Sequence, residues 1–146
     1  MAGYQINISN SEGEIEFSSE KEDNAVTIKT VDFRINTIND NTRNRSDAIR
    51  AELEIRGEIN KSNRESTLKL LKWSIDNNQK TLYRKVEVVV YDSENLTGEV
   101  LRRYEIANMF VIDYDETTCS ESDEMLNFRL FIAQKEGDRD IKIFSN

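Results

Sequence analysis

The stretch Ala48-Ile-Arg-Ala-Glu-Leu-Glu-Ile-Arg-Gly-Glu-Ile59 decides the fold class. Ile49, Ala51, Leu53, Ile55 and Ile59 fall on one side of a two-residue period, and Arg50, Glu52, Glu54 and Arg56 fall on the other. Successive side chains of a strand point to opposite faces, so this pattern predicts a strand with one face in a core and a charged face outside.

The same period recurs on both sides of that stretch. Upstream, Tyr4 to Ile8 and Glu14 to Phe17 predict a hairpin turning at Ser11 to Gly13, followed by a polar loop from Ser18 to Asn24. From Ala25 to Ile35 the apolar positions shift phase, from Val26 and Ile28 to Val31, Phe33 and Ile35, which predicts a bulge near Thr30. Asn36 to Asp47 is almost wholly Asn, Asp, Thr, Arg and Ser, too polar to order itself alone, and is expected to be a long mobile loop.

Downstream, Ser62-Asn-Arg-Glu65 has the spacing of a capping box and predicts one helix, over about Ser62 to Ile75. Leu68, Leu71 and Ile75 share a helical face, which is expected to pack on the sheet with Leu70 and Trp73 beside it. Leu82 to Tyr91, Glu99 to Ile106, Met109 to Tyr114 and Met125 to Gln134 read as further strands. They are joined by the turn from Asp92 to Gly98 and the acidic loop from Asp115 to Glu124, and a short strand holds Ile141 and Ile143. No repeat or linker divides the chain. The expectation is one domain over residues 1–146, mainly β, a small antiparallel β-barrel or sandwich with one flanking α-helix.

Composition narrows the function. Among 146 residues, 28 acidic side chains stand against 20 basic ones, for a formal charge of −8, which disfavours nonspecific binding to nucleic acid or anionic lipid. Histidine is absent, removing the commonest general base and metal ligand. Proline is absent and glycine scarce, and no phosphate-cradling glycine loop occurs. Cys119 is the single cysteine, so neither an internal disulfide nor a C-x-x-C motif can form. Met1 to Asn10 lacks a basic segment followed by an apolar one, and no window approaches the ~20 apolar residues of a membrane span. The chain is therefore expected to fold in the cytoplasm without signal peptide or membrane insertion.

Each constellation that could carry chemistry has a simpler reading. Asp113, Asp115, Thr117, Glu121 and Glu124 occupy positions of a calcium-loop template, but Thr118 stands where that loop needs glycine, and strands are predicted where it needs helices. A solvated acidic loop is expected instead. Asp113 with Asp115, and Glu52 with Glu54, share strand faces as a glycosidase pair would, yet Arg50 and Arg56 make the latter part of a charge-balanced surface. Cys119 has no basic neighbour in sequence to stabilise a thiolate. Arg43 and Arg45 could grip phosphate, but on an acidic domain an interface or solvated loop is expected. Trp73 is expected in the core. No enzyme, cofactor or metal site is predicted.

In order, Ile55-Arg-Gly-Glu-Ile59, Leu70-Leu-Lys-Trp-Ser74, Val86 to Tyr91, Leu101-Arg-Arg-Tyr-Glu-Ile106, Met109-Phe-Val-Ile-Asp-Tyr-Asp-Glu116 and Phe128-Arg-Leu-Phe-Ile-Ala-Gln-Lys135 form a series. Over about Val26 to Ile143 it resembles the tube proteins of contractile injection systems: the haemolysin-coregulated (Hcp) proteins of type VI secretion, contractile phage tail tubes and their Hcp-like relatives. The resemblance implies a hexameric ring, rings stacked into a hollow tube, and no catalysis. It further implies sheath, spike or baseplate proteins and lumenal cargo as partners, and a place in a virion or extracellular injection particle. The excursion at Asn36, Asp40, Arg43, Arg45 and Asp47 would reach toward the next ring, with Arg43 and Arg45 meeting carboxylates there. The alternative expectation, from the barrel alone, is a monomeric binder of a small ligand.

Overall fold

The computed structural model describes residues 3–18, 28–37, 49–92, 98–118 and 126–145. The elements are β1 (Gly3–Asn10), β2 (Gly13–Ser18), β3 (Ile28–Thr37), β4 (Ile49–Ile59), α1 (Arg64–Ser74), β5 (Arg84–Tyr91), β6 (Val100–Thr117), β7 (Leu126–Gln134) and β8 (Ile141–Phe144). The strands form one antiparallel sheet in the order β2-β1-β5-β6-β7-β4-β3, with β8 also paired to β6. The mainly β fold, with one helix among the described residues, is as the sequence predicts, and so is the bulge, where the β3–β4 register shifts between Ile28 and Thr30.

The β1–β2 hairpin turns at Ser11-Glu12. Asn10 Oδ1 accepts from the amides of Glu12 (2.8 Å) and Gly13 (3.1 Å), and Gly13 takes a φ of 151° that side chains disfavour.

β6 is the hinge of the molecule. Met109 pairs with Arg84 of β5 on one side and Gln134 of β7 on the other. Residues before it pair with β5, and residues after it pair with β7. The sequence predicts two strands here, Glu99 to Ile106 and Met109 to Tyr114, whereas the chain runs as one bent strand. The bend is at Asn108, whose φ of 54° lies in the left-handed region that asparagine tolerates. It is held by Lys135 N donating to Asn108 O (2.8 Å), Ala107 N donating to Asp140 O (3.0 Å), and the Asn108 amide donating to Asp138. Buried Gln134 locks the same corner, its Nε2 donating to the carbonyls of Ala107 (2.9 Å) and Asp140 (3.1 Å). The backbone groups released by the bend are thus satisfied, and the strand continues.

The sheet curls so that its core faces meet. Phe17 of β2 stacks on Phe128 of β7 with centroids 5.8 Å apart, and Phe33 of β3 stacks on Tyr104 of β6 at 4.5 Å. Between them lie Ile6, Ile8, Leu53, Ile55, Val86, Val88, Ile106, Leu130 and Ile132, all buried. The terminal strands β2 and β3 do not pair with each other among the described residues, so the barrel is open along one seam.

The helix differs from its predicted form in two ways. Its cap is not the Ser62–Glu65 box. The cap residue is Asn63, which makes no side-chain cap bond within the helix, and the entry is held by a reciprocal pair. Asn60 Oδ1 accepts from the amides of Ser62 (3.0 Å) and Asn63 (3.1 Å), Asn63 Oδ1 accepts from Asn60 N (2.8 Å), and Asn63 Nδ2 donates to Glu58 O (2.6 Å). The inward face is also not Leu68, Leu71 and Ile75, which are exposed; Thr67, Leu70 and Trp73 are buried instead. Thr67 can be buried because its hydroxyl donates to Asn63 O at 3.1 Å, and Trp73 because its Nε1 donates to Leu82 O at 2.7 Å.

Candidate assembly surface

A sheet that does not close leaves edges with unpaired amides and carbonyls, and such edges template pairing with another chain unless they are covered. The β2 edge is covered. Ser66 Oγ donates to Glu16 O (2.9 Å) and Lys69 Nζ donates to Glu14 O (3.2 Å), so one flank of α1 closes it.

Three other edges lack a strand partner among the described residues: the four-residue β8, which pairs only with β6, and two longer ones. The ten-residue β3 has β4 on one side and no strand on the other. β6 beyond Met109 has β7 on one side and has left β5 on the other. These are opposite ends of a four-stranded half-sheet, β6-β7-β4-β3.

The outer face of that half-sheet is a charge lattice built across strands. Glu52 is only 3 % exposed although it points away from the core. It accepts from Arg34 Nε (2.9 Å), Arg50 (3.0 Å) and Asn36 Nδ2 (3.1 Å). Burial alone would raise its pKa, but these hydrogen bonds and the Arg50 charge hold it below the ordinary value. Glu54 accepts from Arg129 (2.7 Å) and Arg56 (2.8 Å), and its carboxyl is lowered chiefly by the Arg129 bond. Arg129 also reaches Asp115 at 3.1 Å, and Lys29 pairs with Glu58 at 3.1 Å. Phe131 carries Arg34 and Arg129 over its ring at 5.0 and 5.7 Å. The lattice pairs its carboxylates with cations and resembles no acid–base pair.

Of the predicted site residues, Asn36 lies in β3, not in a loop, and its amide is bound to Glu52. Asp40, Arg43, Arg45 and Asp47 lie outside the described residues, as do Cys119, Glu121 and Glu124. Asp113 and Asp115 stand on β6, and no group of three metal-ligating side chains gathers among the described residues. Sequence reasoning missed the roles of Arg34 and Arg129, because their partners lie on strands distant in sequence.

Two surface grooves are described. One, of about 430 Å³, runs between α1 and the β1–β2 hairpin beside Lys69, Lys72 and Arg84. Arg84 lies over Trp73 at 5.7 Å, and burial lowers its pKa. The other, of about 570 Å³, lies by Arg56, Asp115 and Arg129. Both are open clefts with charged linings, unlike the enclosed apolar chamber of a barrel binder. No helix is long and apolar enough to cross a membrane among the described residues.

No protein-family model and no curated protein sequence matches the chain. Solved structures do. Hcp1 from Flavobacterium johnsoniae matches 97% of this chain and 96% of its own at 13% identity, with a TM-score of 0.51. A type six secretion system protein matches 91% and 80% at 10% identity and 0.55. A chain of the 6-fold symmetrised baseplate of the anti-feeding prophage matches 98% and 93% at 8% identity and 0.54. At such identities the likeness is one of architecture, and it runs almost end to end. The chain has the Hcp-like tube-protein fold.

Proposed function

We propose that this protein is a structural subunit that assembles into hexameric rings, which stack into the inner tube of a contractile injection system. The observation that carries the reading is the half-sheet β6-β7-β4-β3 with an open edge at each end. The open β3 edge of one copy and the open β6 edge of the next would pair head to tail, and a heterologous contact that closes makes a ring. Because the half-sheet has four strands, an even number, a neighbour related by rotation about the ring axis presents its β6 antiparallel to β3. Every joint then has the same hydrogen-bond pattern as the sheet within a copy. The 6-fold symmetry of the similar baseplate chain supports six as the subunit number.

The charge lattice around Glu52 and Glu54 would line the wall of such a ring, presenting paired charges that do not hold a passing cargo. Sheath, spike or baseplate proteins would be the outer partners, and no catalysis is assigned. The clasp role of Asp40, Arg43, Arg45 and Asp47 belongs to the same reading, with the arginines meeting carboxylates of the next ring.

Size-exclusion chromatography with light scattering tests the ring directly. The expected species has six times the mass of the chain and persists on dilution; a dilution-stable monomer contradicts it. Replacing residues 38–45 by a short Gly-Ser linker tests the clasp. Folded rings that no longer stack are expected, and tubes of ordinary length would contradict that role.

A further inference from the structure

The apolar stripe on α1 turns outward, and no element among the described residues covers it. Leu68 is 42 %, Leu71 39 % and Ile75 76 % exposed, on a helix whose opposite flank, Ser66 and Lys69, is fixed to the carbonyls of β2. At about 100° per residue these three fall within one narrow sector, away from both β2 and the buried Thr67, Leu70 and Trp73. A second apolar surface is also incomplete. On the core side of β3, Val31 and Phe33 are only half-buried, and Ile35 is 47 % exposed.

From these two surfaces we infer a second contact at the ring joint: the Leu68, Leu71 and Ile75 stripe receives the core-side column Val31, Phe33 and Ile35 of the neighbouring copy's β3. The inference rests on the ring reading above. Three observations carry it. First, α1 sits at the β6 edge in question, since Tyr114 reaches Thr67 O at 3.5 Å from the part of β6 that β5 has left. Second, adjacent strands keep their side chains in step, so a β3 paired to that edge continues the face that carries Tyr114, and its Val31, Phe33 and Ile35 enter the layer occupied by α1. Third, the two surfaces match in chemistry: the stripe and the column are both apolar and both partly exposed, so each can cover the other. Two incomplete apolar surfaces at opposite ends of one half-sheet cover one another only between copies, and the contact propagates in one direction around a ring.

The test uses the full chain. In Leu71→Asp and Ile75→Asp, thermal melting of the isolated subunit is expected to match the parent, because neither side chain is in its core, while rings visible by negative-stain microscopy are lost. Rings as abundant as those of the parent in both variants would overturn the contact while leaving edge pairing standing. A parent that forms no rings overturns the ring reading, and this inference with it. In a Cys119→Ser background, Leu71→Cys is paired in turn with Val31→Cys, Phe33→Cys and Ile35→Cys. At least one pair is expected to give an oxidised ladder longer than a dimer, which single-cysteine chains cannot form. No ladder from any pair, in samples that still show rings, would overturn the placement on β3.

Discussion

Glu52 shows how much one residue can hide in a strand pattern. The alternation of Ala48 to Ile59 assigns it to an outer charged face, and it is there, yet it is as buried as a core residue because three side chains fold over it. Its local partner Arg50 is legible two positions away. Arg34 and Asn36 are not, since cross-strand partners depend on register, which local sequence does not encode. The consequence is a pH dependence. The carboxyl is held below its ordinary value of 4.5, so its contribution is fully present above that value and is lost as pH falls through the lowered folded-state pKa. Glu54, Asp76 and Asp138, also lowered, act in the same direction. Melting temperature is expected to be level near neutrality and to fall below about pH 4.5. Glu52→Gln should cost about 1 to 3 kcal/mol at pH 7 and flatten the acid slope; an unchanged slope would contradict the assignment. Asp115 is already engaged by Arg129, so calorimetric titration with calcium is expected to show no binding tighter than millimolar.

At the scale of elements, the helix is where sequence and structure part. Leu68, Leu71 and Ile75 make the cleaner apolar stripe, and periodicity selects it; the buried set contains a threonine. What periodicity cannot weigh is that Thr67 satisfies its hydroxyl within the helix and Trp73 finds a carbonyl at Leu82, so both can be buried without penalty. Leu70→Ala is therefore expected to destabilise the subunit by about 2 to 5 kcal/mol. Leu71→Ala should change it by no more than about 0.5 kcal/mol, as surface substitutions do. Chemical denaturation of both variants checks the pair, and equal losses would restore the predicted face. Strand positions were legible to within a few residues, because apolar alternation is itself the cause of burial on one face. The continuity of β6 was not. It depends on Asn108 adopting a left-handed conformation secured by the turn after β7, a contact nonlocal in sequence.

For the whole molecule, composition and patterning bound a mainly β domain with one helix, and they carry the resemblance that the full-length structural likeness bears out at the level of fold. The open edges were not legible, because an edge is defined by which strand is absent beside it. β2 is sealed by two side chains of α1, whereas β3 and the far half of β6 are not. In the proposed ring that asymmetry decides which edges of neighbouring copies meet. Cryo-electron microscopy of the purified protein at high concentration tests the ring joint most directly. Closed rings are expected in which the half-sheets join into one continuous barrel, β3 of each copy hydrogen-bonded antiparallel to β6 of the next. Isolated monomers, or closed particles whose subunits meet away from both of those edges, would contradict it.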